Sequence, residues 1–104
     1  MENNFESLNI PIGKELLPIG SIVKIENLEK LIMIYGRKQK QEGNERIWDY
    51  VSCPYPEGHL NNDTNIFFNH SSIITIIFKG LETEGEIALR NYIKEQDKKA
   101  DKNA

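Results

Sequence analysis

Ile47-Trp48-Asp49-Tyr50-Val51-Ser52-Cys53, followed at once by Pro54-Tyr55-Pro56-Glu57-Gly58, is the stretch on which the fold turns. Side chains alternate across a strand, so Ile47, Asp49, Val51 and Cys53 share one face and Trp48, Tyr50 and Ser52 the other. Two prolines cannot donate to a ladder, so the chain leaves the sheet at Pro54 to Gly58. Strands of the same kind lie on both sides. Upstream, Ile22-Val23-Lys24-Ile25 is β-branched with polar alternation, and Asn27 to Lys30 reads as a hairpin connection. Leu31-Ile32-Met33-Ile34-Tyr35 is apolar on both faces and belongs at the centre of the sheet. It ends at Gly36-Arg37, before a charged loop over 38–46. Downstream, Asn61 to Thr64 is a turn cluster, Ile66-Phe67-Phe68 a short strand, Asn69 to Ser72 a tight or single 3₁₀ turn, and Ile73 to Phe78 the last strand.

A helix closes the chain. Thr83 and Glu86 have the spacing of a capping box, in which the Glu86 carboxylate reaches back to an orphan backbone N–H. Ala88, Leu89, Tyr92 and Ile93 fall on one stripe at helical spacing, the stripe expected to bury itself on the sheet. These elements predict an α+β fold, a small strongly bent antiparallel sheet or SH3-like barrel of about five strands with a C-terminal helix. The expected organisation is a flexible leader over 1–15, one domain over 16–96, and a disordered tail over 97–104.

With 104 residues there is room for one core and no second domain. A net charge of −3, with lysine and arginine scattered among carboxylates, argues against general nucleic-acid binding. No basic, then apolar, N-terminal stretch reads as a signal peptide, and no run approaches a membrane span. Cys53 is the one cysteine, which suits a reducing compartment, so the expected location is cytoplasmic.

Two chemical readings are available and both are weak. Cys53 as nucleophile with His59 or His70 as base, oriented by Asp49 or Asp63, matches no signature spacing, and a small apolar residue is what the strand needs at 53. His59, Asp63 and His70 lack the tight pairs of a zinc site. No catalytic residue, metal or cofactor is therefore assigned. The aromatics interleaved with prolines suit a docking surface instead, because rigid rings offer large contact area at small entropic cost. The residues expected to bind a protein partner are Trp48, Tyr50, Tyr55, Pro56, Phe67, Phe68 and Tyr92.

Three segments carry a resemblance. Leu16-Leu17-Pro18-Ile19-Gly20-Ser21-Ile22-Val23 resembles an opening "LPIGSVV" motif, and Ile34-Tyr35-Gly36-Arg37 an "I-x-GR" strand end. Asp49-Tyr50-Val51, Pro54 to Gly58 and Phe67-Phe68-Asn69-His70 are similar to a "DYV…PYPEG…FFNH" signature. Together they resemble the domain of unknown function 4176 family of Gram-positive bacteria. The resemblance implies a small accessory protein, a chaperone or targeting partner encoded beside LXG-type toxins and type VII secretion genes; immunity against such a toxin is the alternative. It supplies no catalytic residues to carry over.

Overall fold

The computed structural model describes residues 10–102. Five strands, β1 (Ile22–Ile25), β2 (Ile32–Lys40), β3 (Ile47–Pro54), β4 (Ile66–Phe68) and β5 (Ile73–Phe78), precede one helix, α1 (Glu84–Lys102). All pairings are antiparallel and the order is β4-β3-β2-β1-β5. β4 and β5 thus lie at opposite edges, yet only Asn69 to Ser72 connects them, mostly as one 3₁₀ turn. Five flat strands would hold those edges roughly 19 Å apart, while such a connection reaches only about 12 Å. The sheet must therefore roll, and register shifts in the β1–β5 and β2–β3 ladders supply the bend. It stays an open, bent sheet rather than a closed barrel, because β4 and β5 share no ladder.

Leu17, Val23, Ile25, Ile32, Ile34, Tyr50, Phe68, Ile73 and Ile76 fill the hollow of the roll. β2 is central, as its two apolar faces predict, but it continues past Gly36 to Lys40. The cause is a bulge. Ile34 pairs with Ser52 and Gly36 with Val51, so β2 spends two residues where β3 spends one. A one-residue slip exchanges the faces of everything beyond it, and Arg37 thereby points into the molecule. Gly36 is needed there, since a Cβ would sit 2.7 Å from Val51 Cγ1.

Arg37 is 8 % exposed and pairs with Glu86 of α1 through two bonds of 2.5 and 2.8 Å. This overturns two expectations. Thr83 Oγ1 does accept the Glu86 amide at 3.1 Å, but the Glu86 carboxylate goes to Arg37 and not back to the cap. The stripe of α1 that faces the sheet is Glu86, Arg90 and Ile93, while Leu89 and Tyr92 are 48 % and 62 % exposed. The energies decide this. Covering Leu89 is worth about 1.5–3 kcal/mol. Leaving a buried guanidinium unpaired costs about 3–5 kcal/mol.

The ends also differ from expectation. Residues 10–15, assigned to the leader, are held: Ile10 and Ile12 pack on the core, and the Gly13 carbonyl accepts from His70. Residues 1–9 lie outside the described structure. The tail is helical through Lys102, with Asp97 3.1 Å from Lys38, and only 103–104 lie beyond description.

Replacing Arg37 by Met should cost about 3–5 kcal/mol of unfolding free energy, measured by urea titration. Adding Glu86→Met should recover most of the loss, because the second change removes the carboxylate left without a partner.

Candidate functional site

Three of the quoted motifs, far apart in the chain, meet around Tyr50. The Tyr50 hydroxyl accepts from the Leu17 amide at 2.9 Å and lies 2.7 Å from His70 Nδ1. His70 Nε2 lies 2.9 Å from the Gly13 carbonyl. A carbonyl can only accept, so Nε2 carries a proton and donates to it, while Nδ1 and the Tyr50 hydroxyl share the second bond. The Asp49 carboxylate accepts from the His70 amide and from Lys38, each at 2.9 Å, and Asn69 Oδ1 accepts from the Asp49 amide at 3.1 Å. Arg37 also donates to the Leu17 carbonyl at 3.2 Å. The network clamps the segment before β1 onto the roll.

Its electrostatics are those of a closed structure. Burial above all pushes the Tyr50 hydroxyl up to about 12, despite the Leu17 amide and the Arg37 charge. For Asp49 burial opposes ionisation, but the His70 amide and the Lys38 ammonium outweigh it and hold the carboxyl below its ordinary value. Lys38 is also desolvated, and Asp49 with Asp97 more than compensates, so it stays charged to higher pH than usual. Beside the network, a cleft of about 310 Å³ runs between α1 and residues 14–16. Lys38 pairs there with Asp49 and Asp97, and Arg90 and Lys94 with Glu15.

The Cys–His reading does not assemble among the described residues. Cys53 is 2 % exposed, its thiol pushed up by burial, and its Sγ lies 3.8 Å from the Met33 carbonyl. His59 bonds Asn65 Oδ1 at 3.1 Å, and His70 is occupied by Tyr50 and Gly13. No three His, Cys, Asp or Glu side chains among the described residues group as metal ligands.

The expected docking residues separate. Tyr50 at 0 % and Phe68 at 3 % exposure are core residues, their rings 5.0 Å apart, and cannot touch a partner. The alternation did point Tyr50 to one face; the roll made that face the inside. Trp48 is half-buried under the Arg46 guanidinium, 4.1 Å above its ring, and its buried Nε1 has no partner among the described residues. Tyr92 stands out from α1. Tyr55 and Pro56 are exposed in a loop with a cis peptide between them. The loop is fastened at both ends: the Tyr55 amide donates to the Leu31 carbonyl at 2.9 Å, and Glu57 pairs with Lys30 at 2.7 Å.

Phe67 belongs to a feature that the sequence did not announce. On the outer face of β2, β3 and β4 it lies with Tyr35, Gly36, Gln39, Lys40, Val51 and Asn65 around a groove of about 330 Å³. A second hollow of about 430 Å³, bounded by Gln41, Glu42 and Asp63, shares Lys40, Asn65 and Phe67 and extends it. The Tyr35 hydroxyl donates to Asn65 at 2.6 Å and its ring meets His59 edge-on at 5.6 Å, so one wall is rigid. The bulge at Gly36 was the available signal, because a glycine inside a strand marks a bulge or a close approach.

Fold and site together define a small α+β protein with an internally satisfied polar network and a shallow groove on its outer sheet face. A family model, "Domain of unknown function (DUF4176)", matches residues 16–89, and the chain belongs to that family. No curated protein and no solved structure matches the chain.

Two measurements check this account. A group whose carboxyl titrates lower in the folded state stabilises above the unfolded value of about 3.9 and loses that contribution as pH falls through the folded one. Unfolding titrations between about pH 5 and pH 2 should therefore show an acid loss that Asp49→Asn diminishes. Cys53 should react with a thiol reagent only on unfolding, in contrast to an exposed thiol.

Proposed function

We propose that this protein is a non-enzymatic binding factor, a chaperone or targeting partner for a type VII-secreted toxin of the LXG type. The observation that carries the binding part is the outer groove. Its floor is Val51 and Phe67, its wall a braced tyrosine, and none of the hydrogen-bond partners named for the Tyr50 network is diverted to it. Pre-organised aromatic walls lower the ordering cost of association. The family membership supports the identity of the partner, through the association with toxin genes that the resemblance implies. A cytoplasmic location, where a toxin would be met before export, is part of the same reading.

Co-expression of the tagged protein with the LXG toxin of the same strain should recover a complex. Lys40→Glu with Tyr35→Ala, one at the rim and one in the wall, should lower recovery about tenfold or more while the far-UV spectrum is kept. No recovered toxin, together with normal toxin export after deletion of the gene, would sink the proposal. Protection of cells from the toxin without effect on its export would turn it toward immunity.

A further inference from the structure

The cleft between α1 and residues 14–16 gathers more positive charge than its carboxylates neutralise, in a chain of net charge −3. Lys38 is balanced by Asp49 and Asp97. That leaves Lys14, Arg90 and Lys94 against Glu15. A second hollow of about 250 Å³ shares Lys14, Glu15 and Arg90 with the cleft and adds Lys79 and Glu82. Glu82 lies 2.6 Å from Arg90 Nη1 and 3.1 Å from Lys79, so Glu15 and Glu82 together face Lys14, Lys79, Arg90 and Lys94.

Glu15 bridges two of these cations, but loosely. Its Oε1 lies 3.2 Å from Lys94 Nζ, and its Oε2 lies 4.0 Å from Arg90 Nε, too far for a hydrogen bond. Arg90 Nε is buried and has no hydrogen-bond partner among the described residues, whereas a buried donor ordinarily meets an acceptor. Glu15 and Lys94 are each half exposed, and pairs of that kind hold weakly. A ligand carboxylate would merely trade places with Glu15. A phosphate dianion brings about twice the charge and a third acceptor oxygen, which suits an arginine beside lysines. Leu16 and Ile93, both half-buried, line the same cleft and can cover a small apolar body. The volume of about 310 Å³ is at the small end for ligand sites. We propose that the cleft binds a small phosphomonoester, whose phosphate displaces the Glu15 carboxylate from Arg90 Nε and Lys94. The cleft shares no lining residue with the outer groove, so the inference stands apart from toxin binding.

Phenyl phosphate titrated into the full chain at constant ionic strength, above the second phosphate pKa of about 6, tests this. Backbone amide resonances of Glu15, Leu16 and Lys94 should shift and saturate with a Kd on the order of 1 mM. Lys94→Ala should raise that Kd roughly fivefold, the upper range for an exposed charge pair. Glu15→Gln should lower it by a similar factor, because it removes the internal competitor; a Glu15 that serves only to fasten the segment would give no such gain. Benzoate, with the same ring and half the charge, should bind about tenfold more weakly or worse. Tyr35→Ala, in the outer groove, should leave the Kd unchanged. Shifts that do not saturate, benzoate binding as tightly as phenyl phosphate, or a Glu15→Gln chain with no gain in affinity would each overturn the proposal.

Discussion

The ion pair between Arg37 and Glu86 sets the arrangement of everything outside the sheet. Its guanidinium is enclosed by the roll, by the Leu17 carbonyl and by α1, and its two bonds to the carboxylate run side by side. A bidentate pair fixes direction as well as distance. Once Glu86 is fixed, the helix has one rotation about its axis, and residues four, eight and eleven positions further on come round to the sheet side. Arg90 then lies 2.6 Å from Glu82, Lys94 3.2 Å from Glu15, and Asp97 within reach of Lys38. The exposed members of that series each contribute little on their own. They align a helix that has almost no apolar contact to hold it.

The ion pair depends in turn on the bulge at Gly36, and the bulge on the absence of a side chain there. With regular alternation Arg37 would point to the outer face, where Tyr35, Val51 and Phe67 now form the groove. One inserted glycine thus sends the Arg37 charge inward and away from the outer groove. The second polar layer, from Asp49 through His70 to Gly13, closes the other side of the leading segment. Burial of Tyr50 and Asp49 is tolerated because every bond they can make to the segment, the turn or Lys38 is made. Such a network ties the segment before β1 to β3 and to the turn at Asn69 to Ser72.

Much of the sheet was legible in the sequence because strands announce themselves locally. The β3 alternation, the prolines that end it, the turn at Asn69 to Ser72 and the central place of β2 are all consequences of neighbouring residues. The bend was legible too, once short strands followed one another with little connecting chain. The orientation of α1 was not. A hydrophobic stripe at Ala88, Leu89, Tyr92 and Ile93 is the ordinary signal for a buried face, and only a buried arginine forty-nine positions earlier outweighs it. The same non-local cause split the expected capping box, whose threonine half formed and whose glutamate half did not. Tyr50 and Phe68 were misassigned to a surface for a related reason: alternation says which residues share a face, and only the roll says which face is inside.

The charged docking of α1 explains why Leu89 and Tyr92 stand on its outer side. A helix held through leucines could slide or rotate by a residue at little cost, since apolar contacts are not directional. One held through a bidentate pair cannot. Replacing a buried pair by well-packed apolar groups is often neutral or stabilising. What the pair contributes here is therefore the rotation of the helix more than its affinity for the sheet. The apolar residues that would otherwise have done the holding are left outside, on a helix whose later turns reach the sheet side through Lys94 and Asp97. Their exposure follows from the same contact that sets the helix in place.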